Sequence, residues 1–114
     1  MSNEKAPTKF LHVLALRPDG RREPVATVAY RVDDAGGAVT AACALRSRRD
    51  QFQRARGRMI AEGRLNVGGD HSPTFTLAEF DAVRGELVAA RHRKTSYGRA
   101  RAALARFFRF DVRG

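Results

Sequence analysis

The sequence predicts an α+β protein in which a three-stranded antiparallel meander packs against two to three helices. Two observations indicate this fold class. Three short apolar segments in the first half are separated by strong turns, and apolar residues in the second half recur at helical spacing. With 114 residues the chain fits one domain. We expect residues 1–8 to be a disordered N-terminal tail and residues 9–114 to form a single domain.

Each predicted strand has its own sequence pattern. Residues 10–16 (FLHVLAL) form a short apolar run typical of a buried strand, and Pro18-Asp19-Gly20 then favours a turn. Residues 24–32 and 38–46 alternate, with a glycine-rich turn between them. The alternation places two sets of side chains on one face of the sheet: Ala26, Val28, Tyr30 and Val32, and then Val39, Ala41, Cys43 and Leu45.

The first helix is predicted over residues 50–65. Asp50 is a favourable N-cap, and Gln53 three residues later completes a variant of the capping box. Arg56 projects into the predicted apolar face, where an arginine either extends to the edge or pairs with an acid, a ligand or a partner chain. Helical spacing assigns that buried face to Phe52, Ala55, Met59, Ile60 and Gly63.

Two further helical segments follow the turn at residues 66–73. Thr76 and Glu79 form a T-x-x-E capping box, and Phe75 and Phe80 form a hydrophobic staple around it. The second helix, over residues 76–92, is expected to bury Leu77, Phe80, Val83, Leu87 and Ala90. A third apolar stripe comprises Ala100, Ala103, Leu104, Phe107 and Phe108. The last residues, RFDVRG, fit either a final strand or a docked arm.

The chain is arginine-rich and carries a net charge of +10. Its 22 basic residues are 19 Arg and 3 Lys, and it has 19 Ala, as a GC-rich genome produces. Codon bias explains why the basic residues are mostly arginine and not lysine. It does not explain the net positive charge, because additional Asp and Glu residues could have balanced the arginines. Residues 46–69 carry seven basic and two acidic residues, and residues 89–114 carry eight and one. These two segments therefore predict an anionic partner.

A phosphate site is predicted where these two segments meet. Gly57 and Ala61 form a notch of small residues on the first helix, which suits either close approach of a ligand or backbone, or packing against another helix or subunit. Residues 91–99 (RHRKTSYGR) suit either a phosphate-facing loop or a solvated linker, and Tyr97 could stack on a base. The candidate ligand-binding residues are Arg54, Gly57, Arg58, Arg64, Arg91, Arg93, Tyr97 and Arg99.

Known catalytic and metal-binding patterns are absent from the sequence. The three histidines, His12, His71 and His92, lack metal-ligand spacing, and we find no nucleophile elbow, P-loop or dinucleotide fingerprint. We therefore expect neither enzymatic activity nor a cofactor or metal. The single cysteine, Cys43, is predicted to be a small core residue in a cytoplasmic protein. No apolar run is long enough to span a bilayer, and the first ten residues lack a secretory signal.

Residues 46–65 carry the pattern D-x-F-x-R-x-x-G-R-x-I-A-x-G-R-L. This pattern is similar to one found after a short β-meander in small proteins encoded by bacteriophages and plasmids. The arrangement also resembles phage anti-Thoeris proteins of the nucleotide-sequestering type, which withhold a cyclic nucleotide signal from a host effector. The resemblance implies a counter-defence protein in a host cell. The matching residues are Asp50, Phe52, Arg54, Gly57, Arg58, Ile60, Ala61, Gly63, Arg64 and Leu65.

Three functions follow from these observations. The first is non-catalytic binding of a phosphorylated nucleotide by clustered arginines in a homo-oligomer. The second is nucleic-acid binding, which a sequence pI near 11.3 favours, although no helix-turn-helix, zinc-finger or ribonucleoprotein motif is present. The third is inhibition of a host protein complex through the basic surface. We expect a dimer or larger assembly, because the core is small and Phe107, Phe108 and Phe110 are hard to bury in one small domain.

Overall fold

A computed structural model describes residues 7–33, 36–46, 54–69, 72–89, 92 and 96–108. It confirms an α+β fold built on an antiparallel sheet. Helix α1 packs on one face of the sheet, and helices α2 and α3 pack on the other. The elements in chain order are β1 (Lys9–Leu16), β2 (Arg22–Val32), β3 (Ala38–Leu45), α1 (Arg54–Val67), β4 (Thr74–Thr76), α2 (Leu77–Ala89) and α3 (Tyr97–Phe108).

The described sheet has four strands in the order β1-β2-β3-β4, one more than the sequence predicted. The predicted meander is β1 to β3, and the short strand β4 extends it through the pair Val39 and Phe75. A bulge after Val13 leaves Val25 of β2 without an opposite residue on β1. The predicted strand bounds agree with the structure to within two residues. Phe75 was assigned to a helix entry and lies instead in β4.

The larger core lies between the sheet and helices α2 and α3. Val28, Val39 and Ala41 are fully buried there, which confirms the predicted face of β2 and β3. The rings of Tyr30 and Phe80 lie 4.8 Å apart at their centroids in a tilted arrangement. The helices contribute seven buried residues to this core: Phe80, Val83, Leu87, Tyr97, Ala100, Leu104 and Phe108.

The predicted start of α2 is confirmed in detail. The Thr76 amide donates to Glu79 Oε1 at 2.8 Å, and the Glu79 amide donates to Thr76 Oγ1 at 3.1 Å. Hydrogen bonds from the Thr76 amide and from the Thr76 side chain to the Glu79 carboxylate hold the pKa of Glu79 below its usual value. Phe75 and Phe80 form the predicted staple, with ring centroids 6.0 Å apart. Leu77 was predicted to be buried and is 41% exposed, because it begins α2 outside the core.

Helix α1 packs through a different face from the one predicted. Gly57, Ala61 and Leu65 face the sheet, whereas Met59 is 69% exposed and Ile60 is 37% exposed. The reason is the surface that α1 meets, which consists of Ala29, Ala42, Ala44 and Thr27. These small side chains let the helix approach closely, so its smallest residues make the contact. Consequently Ala55, Arg56 and Gly63, which belong to the predicted face, are also exposed.

Several sequence predictions lie outside the described residues. These are the N-cap Asp50 with Gln53, the apolar residues Phe52 and Ala90, and the C-terminal segment 109–114 with Phe110. Within the described part, Phe108 is buried and Phe107 packs half-buried against the core. The Gly57–Ala61 notch, Phe107 and Phe108, on which the prediction of an assembly partly rested, therefore pack within one chain.

Candidate anion-binding surface

One end of the sheet brings together both basic segments, and we call it the hairpin end. It comprises the β1–β2 turn at residues 17–21 and the end of β3 at Arg46. The Arg46 amide donates to the Val25 carbonyl at 2.8 Å, which places Arg46 beside the start of β2. Antiparallel strands joined by short turns require this arrangement, since the first turn and the end of the third strand fall at the same end.

Helices α1 and α3 both begin at the hairpin end. A Cβ atom on Gly57, in the first turn of α1, would lie 2.6 Å from Thr27 Oγ1, and Thr27 pairs with Ala44 near the end of β3. On the opposite face of the sheet, the Tyr97 hydroxyl at the start of α3 donates to the Arg46 carbonyl. The basic segments 46–69 and 89–114 thus each start a helix at this end.

Exposed arginines surround the hairpin end on three sides. Arg21 comes from the β1–β2 turn, Arg56 and Arg58 come from α1, and Arg99 comes from α3. In the described part of the chain, none of these four side chains has an ion-pair or hydrogen-bond partner. Each of these exposed guanidinium groups can donate two parallel hydrogen bonds to phosphate oxygens.

Three other arginines at this end, Arg17, Arg22 and Arg46, have partners. Arg17 lies 3.9 Å from Asp19, with both side chains about half exposed, so the pair is weakly stabilising. Arg46 lies 4.0 Å from Glu23 and donates to the Pro24 carbonyl at 3.4 Å. These contacts fix the ends of β1, β2 and β3 relative to one another.

The acidic residues lie mainly away from the hairpin end. Of the seven that the structure describes, only Asp19 and Glu23 belong to that end. Glu62 pairs with Arg31 at 3.7 Å. The charge of the described surface is therefore polarised along the strands. The acids outside the hairpin end are Asp33, Glu62, Glu79, Asp81 and Glu86.

Two predicted ligand residues of α1 make structural contacts. Gly57 faces Thr27, so the notch that it forms with Ala61 is filled by the chain's own sheet. Arg64 donates from Nη1 to the Cys43 carbonyl at 2.7 Å. This carbonyl lies on the edge of β3 beyond the end of β4, where no strand of the described sheet pairs with it. Arg64 thus satisfies a sheet-edge acceptor.

Tyr97 is buried, which leaves its ring no open face on which a base could stack. Its role is to anchor the start of α3 to the end of β3. Arg91, Arg93 and the side chain of Arg54 lie outside the described residues.

Arg21 was not among the predicted site residues, because it belongs to residues 1–45, whose net charge is close to neutral. The predicted meander places the β1–β2 turn, which contains Arg21, at the same end of the sheet as Arg46, and this topology could have identified Arg21.

The thiol of Cys43 is buried in the core, as predicted. Burial raises the pKa of Cys43 from 9.0 to about 12, although the nearby positive charge of Arg64 lowers it in part. We therefore expect the native thiol to resist alkylation at neutral pH and to react only when the protein unfolds.

The same pKa shift predicts a pH dependence of stability. Because the folded pKa is above the unfolded value, the contribution of Cys43 is fully present below about pH 9. It is lost as pH rises towards about 12, with a slope of at most about 1.4 kcal/mol per pH unit. Urea unfolding at several alkaline pH values measures this slope, and Cys43→Ala serves as the control. An equal slope in both proteins would contradict the assignment.

No cluster of three or more potential metal-ligating residues occurs in the part of the chain that the structure describes. None of the described helices is long and apolar enough to cross a membrane. Comparisons of the chain with protein-family models, with curated proteins and with solved structures yielded no match.

Proposed function

We propose that the hairpin end binds the phosphate backbone of a nucleic acid, without catalysis. The supporting observation is the set of four exposed arginines at that end, Arg21, Arg56, Arg58 and Arg99, whose side chains have no ion-pair or hydrogen-bond partner among the described residues. They come from the turn, from α1 and from α3, so they surround the end of the sheet. Arginines spread over an open surface suit an extended polyanion, because successive phosphates can each meet one guanidinium group.

A single small nucleotide has less support as the ligand. The Gly57–Ala61 notch, on which that hypothesis depended, packs against Thr27 and the alanines of the sheet. In addition, Arg58 and Arg99 lie on helices at opposite faces of the sheet, which suits a ligand larger than one nucleotide. The resemblance of residues 46–65 to phage and plasmid proteins supports a counter-defence setting. In that setting, a basic protein would occupy a nucleic acid that a host system uses.

Binding by this surface should depend strongly on salt. Phosphate contacts release condensed counterions, so the logarithm of the association constant falls with the logarithm of salt concentration at about −0.9 per contact on duplex DNA. Three contacts, one from each of the turn, α1 and α3, give a slope of about −2.7. Between about 50 and about 200 mM salt, affinity should then fall roughly 40-fold.

Fluorescence anisotropy with a labelled duplex and a labelled single strand tests the proposal. We expect both probes to bind, with the slope on the single strand nearer −0.7 per contact. A panel of cyclic and linear nucleotides, added as competitors, separates the two ligand classes. Absence of binding to either strand form at the lowest salt would contradict the proposal. A nucleotide that competes at low concentration, with little dependence on salt, would favour the small-ligand hypothesis instead.

A further inference from the structure

The β1–β2 hairpin extends past β3 at the hairpin end. In the described sheet, β2 and β3 pair as far as Ala26 and Leu45. The hairpin continues beyond this pair until Leu16 pairs with Arg22, and the turn follows. Val13 lies opposite Ala26, so three further residues of β1 separate that pair from the turn. At about 3.3 Å per residue, the two strands project by roughly 10 Å before the turn begins.

The end of this projection is an exposed turn whose backbone is held by hydrogen bonds. Residues 17–22, RPDGRR, are all exposed, and we call them the tip. The Arg17 amide donates to the Arg21 carbonyl at 2.8 Å, and the Gly20 amide donates to the Arg17 carbonyl at 3.0 Å. Gly20 supplies the left-handed conformation that the turn requires, with a φ of 87°. The tip is therefore preorganised, so binding orders little additional backbone.

The two helices that begin at the hairpin end lie on either side of the tip. Helix α1 packs on one face of the sheet and α3 packs on the other. Packed layers of secondary structure lie roughly 10 Å apart, so roughly 20 Å separates these helices across the sheet. Arg58 of α1 and Arg99 of α3 are both exposed. The described surface thus has a narrow projection between two basic helix ends.

Double-stranded DNA fits this shape at its major groove. That groove is about 12 Å wide and about 8.5 Å deep, and it admits a two-stranded β-ribbon, whereas the minor groove is only about 6 Å wide. The projection of roughly 10 Å matches the depth of the groove. Phosphates border the groove on both sides, as Arg58 and Arg99 border the tip. Double-stranded RNA does not offer the same fit, because its major groove is deep and narrow.

We infer that the tip enters the major groove of double-stranded DNA, while Arg58 and Arg99 contact phosphates on opposite sides of the groove. The inference rests on the proposed function, and it specifies both the kind of nucleic acid and the element that enters it. Arg21 then makes its phosphate contact from within the groove, at one wall. A single strand would meet the same arginines without offering a groove to the tip.

The acidic residue of the tip, Asp19, gives a direct test. Its Oδ1 accepts the Arg21 amide at 3.0 Å, and its Oδ2 lies 3.9 Å from Arg17 Nε. Asp19→Asn retains the oxygen that accepts the Arg21 amide, so the turn should keep its conformation. The substitution removes a negative charge that would lie between two rows of phosphates, and it leaves Arg17 able to contact one of them. At about 0.15 M salt, affinity for duplex DNA should rise roughly fivefold, and the salt slope should steepen by about 0.9.

Asp81→Asn is the matched control, because it removes the same charge from an exposed position. Asp81 belongs to α2, which follows β4, and β4 pairs with Ala38 and Thr40 at the end of β3 remote from the hairpin end. Asp81→Asn should change affinity slightly, through net charge, and leave the salt slope unaltered. Equal effects of the two substitutions would overturn the inference, since the tip would then be no closer to the DNA than α2 is.

Groove-specific probes test the unmodified protein independently of any substitution. Fluorescence anisotropy compares a duplex DNA, the same duplex with neutral glucosyl groups on 5-hydroxymethylcytosine, and a duplex RNA of the same sequence. The glucosyl groups fill the major groove without changing the phosphate charge. We expect the glucosylated DNA and the RNA to bind roughly fivefold more weakly than plain DNA, because the Arg21 contact is lost. Dimethyl sulfate methylates guanine N7 in the major groove and adenine N3 in the minor groove, and the protein should protect only guanine N7.

Failure of this inference and failure of the proposed function give different results. Equal affinity for plain DNA, glucosylated DNA and RNA would overturn the inference, and so would protection of adenine N3 instead of guanine N7. Either result would leave the proposed function standing, because the arginines would still bind phosphates. Absence of binding to every duplex and single strand at the lowest salt would overturn both.

Discussion

Adding one methyl group at Gly57 should destabilise the protein, although the same change at Gly63 of the same helix should stabilise it. The added Cβ at Gly57 would lie 2.6 Å from Thr27 Oγ1 and 3.3 Å from Thr27 Cβ. Thr27 is only 1% exposed, so it has little room to move. Overpacking of this kind costs typically about 1–3 kcal/mol, which exceeds the gain of about 1 kcal/mol in helix propensity.

Gly63 is the matched control. A Cβ at Gly63 would meet nothing within 4 Å, and the position is exposed. Gly63→Ala should therefore raise the free energy of unfolding by up to about 1 kcal/mol. Urea denaturation of the two variants measures both effects with one assay. If the two substitutions changed stability by the same amount, α1 would not approach the sheet at Gly57.

A double-mutant cycle locates the cause of the effect at Gly57. Thr27→Ala removes Oγ1, the nearest atom, and also the hydrogen bond of 3.0 Å between that oxygen and His12 Nδ1. The combined variant of Gly57→Ala and Thr27→Ala should be more stable than the sum of the two single effects predicts. Additive effects would indicate that the added methyl group is accommodated elsewhere.

The sequence was sufficient to predict strands β1 to β3, the turns between them and the start of α2. Alternation in residues 24–32 and the T-x-x-E box at Thr76 are local signals, and local geometry alone decides them. The buried face of α1 is not a local property. Large apolar residues such as Met59 and Ile60 indicate a core in the absence of other information. Here the sheet surface opposite the helix is made of alanines, so small residues give the closer and more extensive contact.

A signal for this second buried face was nevertheless present. Residues 41–45, AACAL, contain no polar residue, and a strand that is buried on both faces shows such a run. The two-sided pattern implies helices on both faces of the sheet. The alanine face of the sheet is best covered by a helix whose buried face also consists of small residues. Gly57 and Ala61 give α1 such a face.

The candidate site was predictable only in part. The two basic segments are separated in sequence by acidic residues, and the contact between Tyr97 and Arg46 that unites them joins positions 51 residues apart. No local pattern reveals such a contact. Gly57, Arg64 and Tyr97, which were predicted to bind a ligand, each make a contact that joins two elements of the fold. Residues that look suited to bind a ligand are equally suited to join one element of the fold to another, and only the tertiary structure distinguishes the two.

Neutralising the arginines at the hairpin end should give the largest loss of nucleic-acid binding. Near 0.15 M salt, each phosphate contact contributes roughly fivefold to affinity through counterion release. Arg21→Ala, Arg58→Ala and Arg99→Ala should each weaken duplex binding by about that factor, and the triple variant by roughly 150-fold. None of these side chains is buried or paired in the described structure, so the fold should remain intact.

The salt dependence and a charge-matched control make this prediction specific. Each of the three substitutions should reduce the salt slope by about 0.9, because each removes one phosphate contact. Arg84→Ala removes the same charge from the acidic helix α2, where the side chain is also exposed. It should change affinity slightly, through net charge alone, and leave the slope unaltered. If Arg84→Ala weakened binding as much as Arg58→Ala, affinity would reflect the overall charge of the protein, and the hairpin end would not be the binding surface.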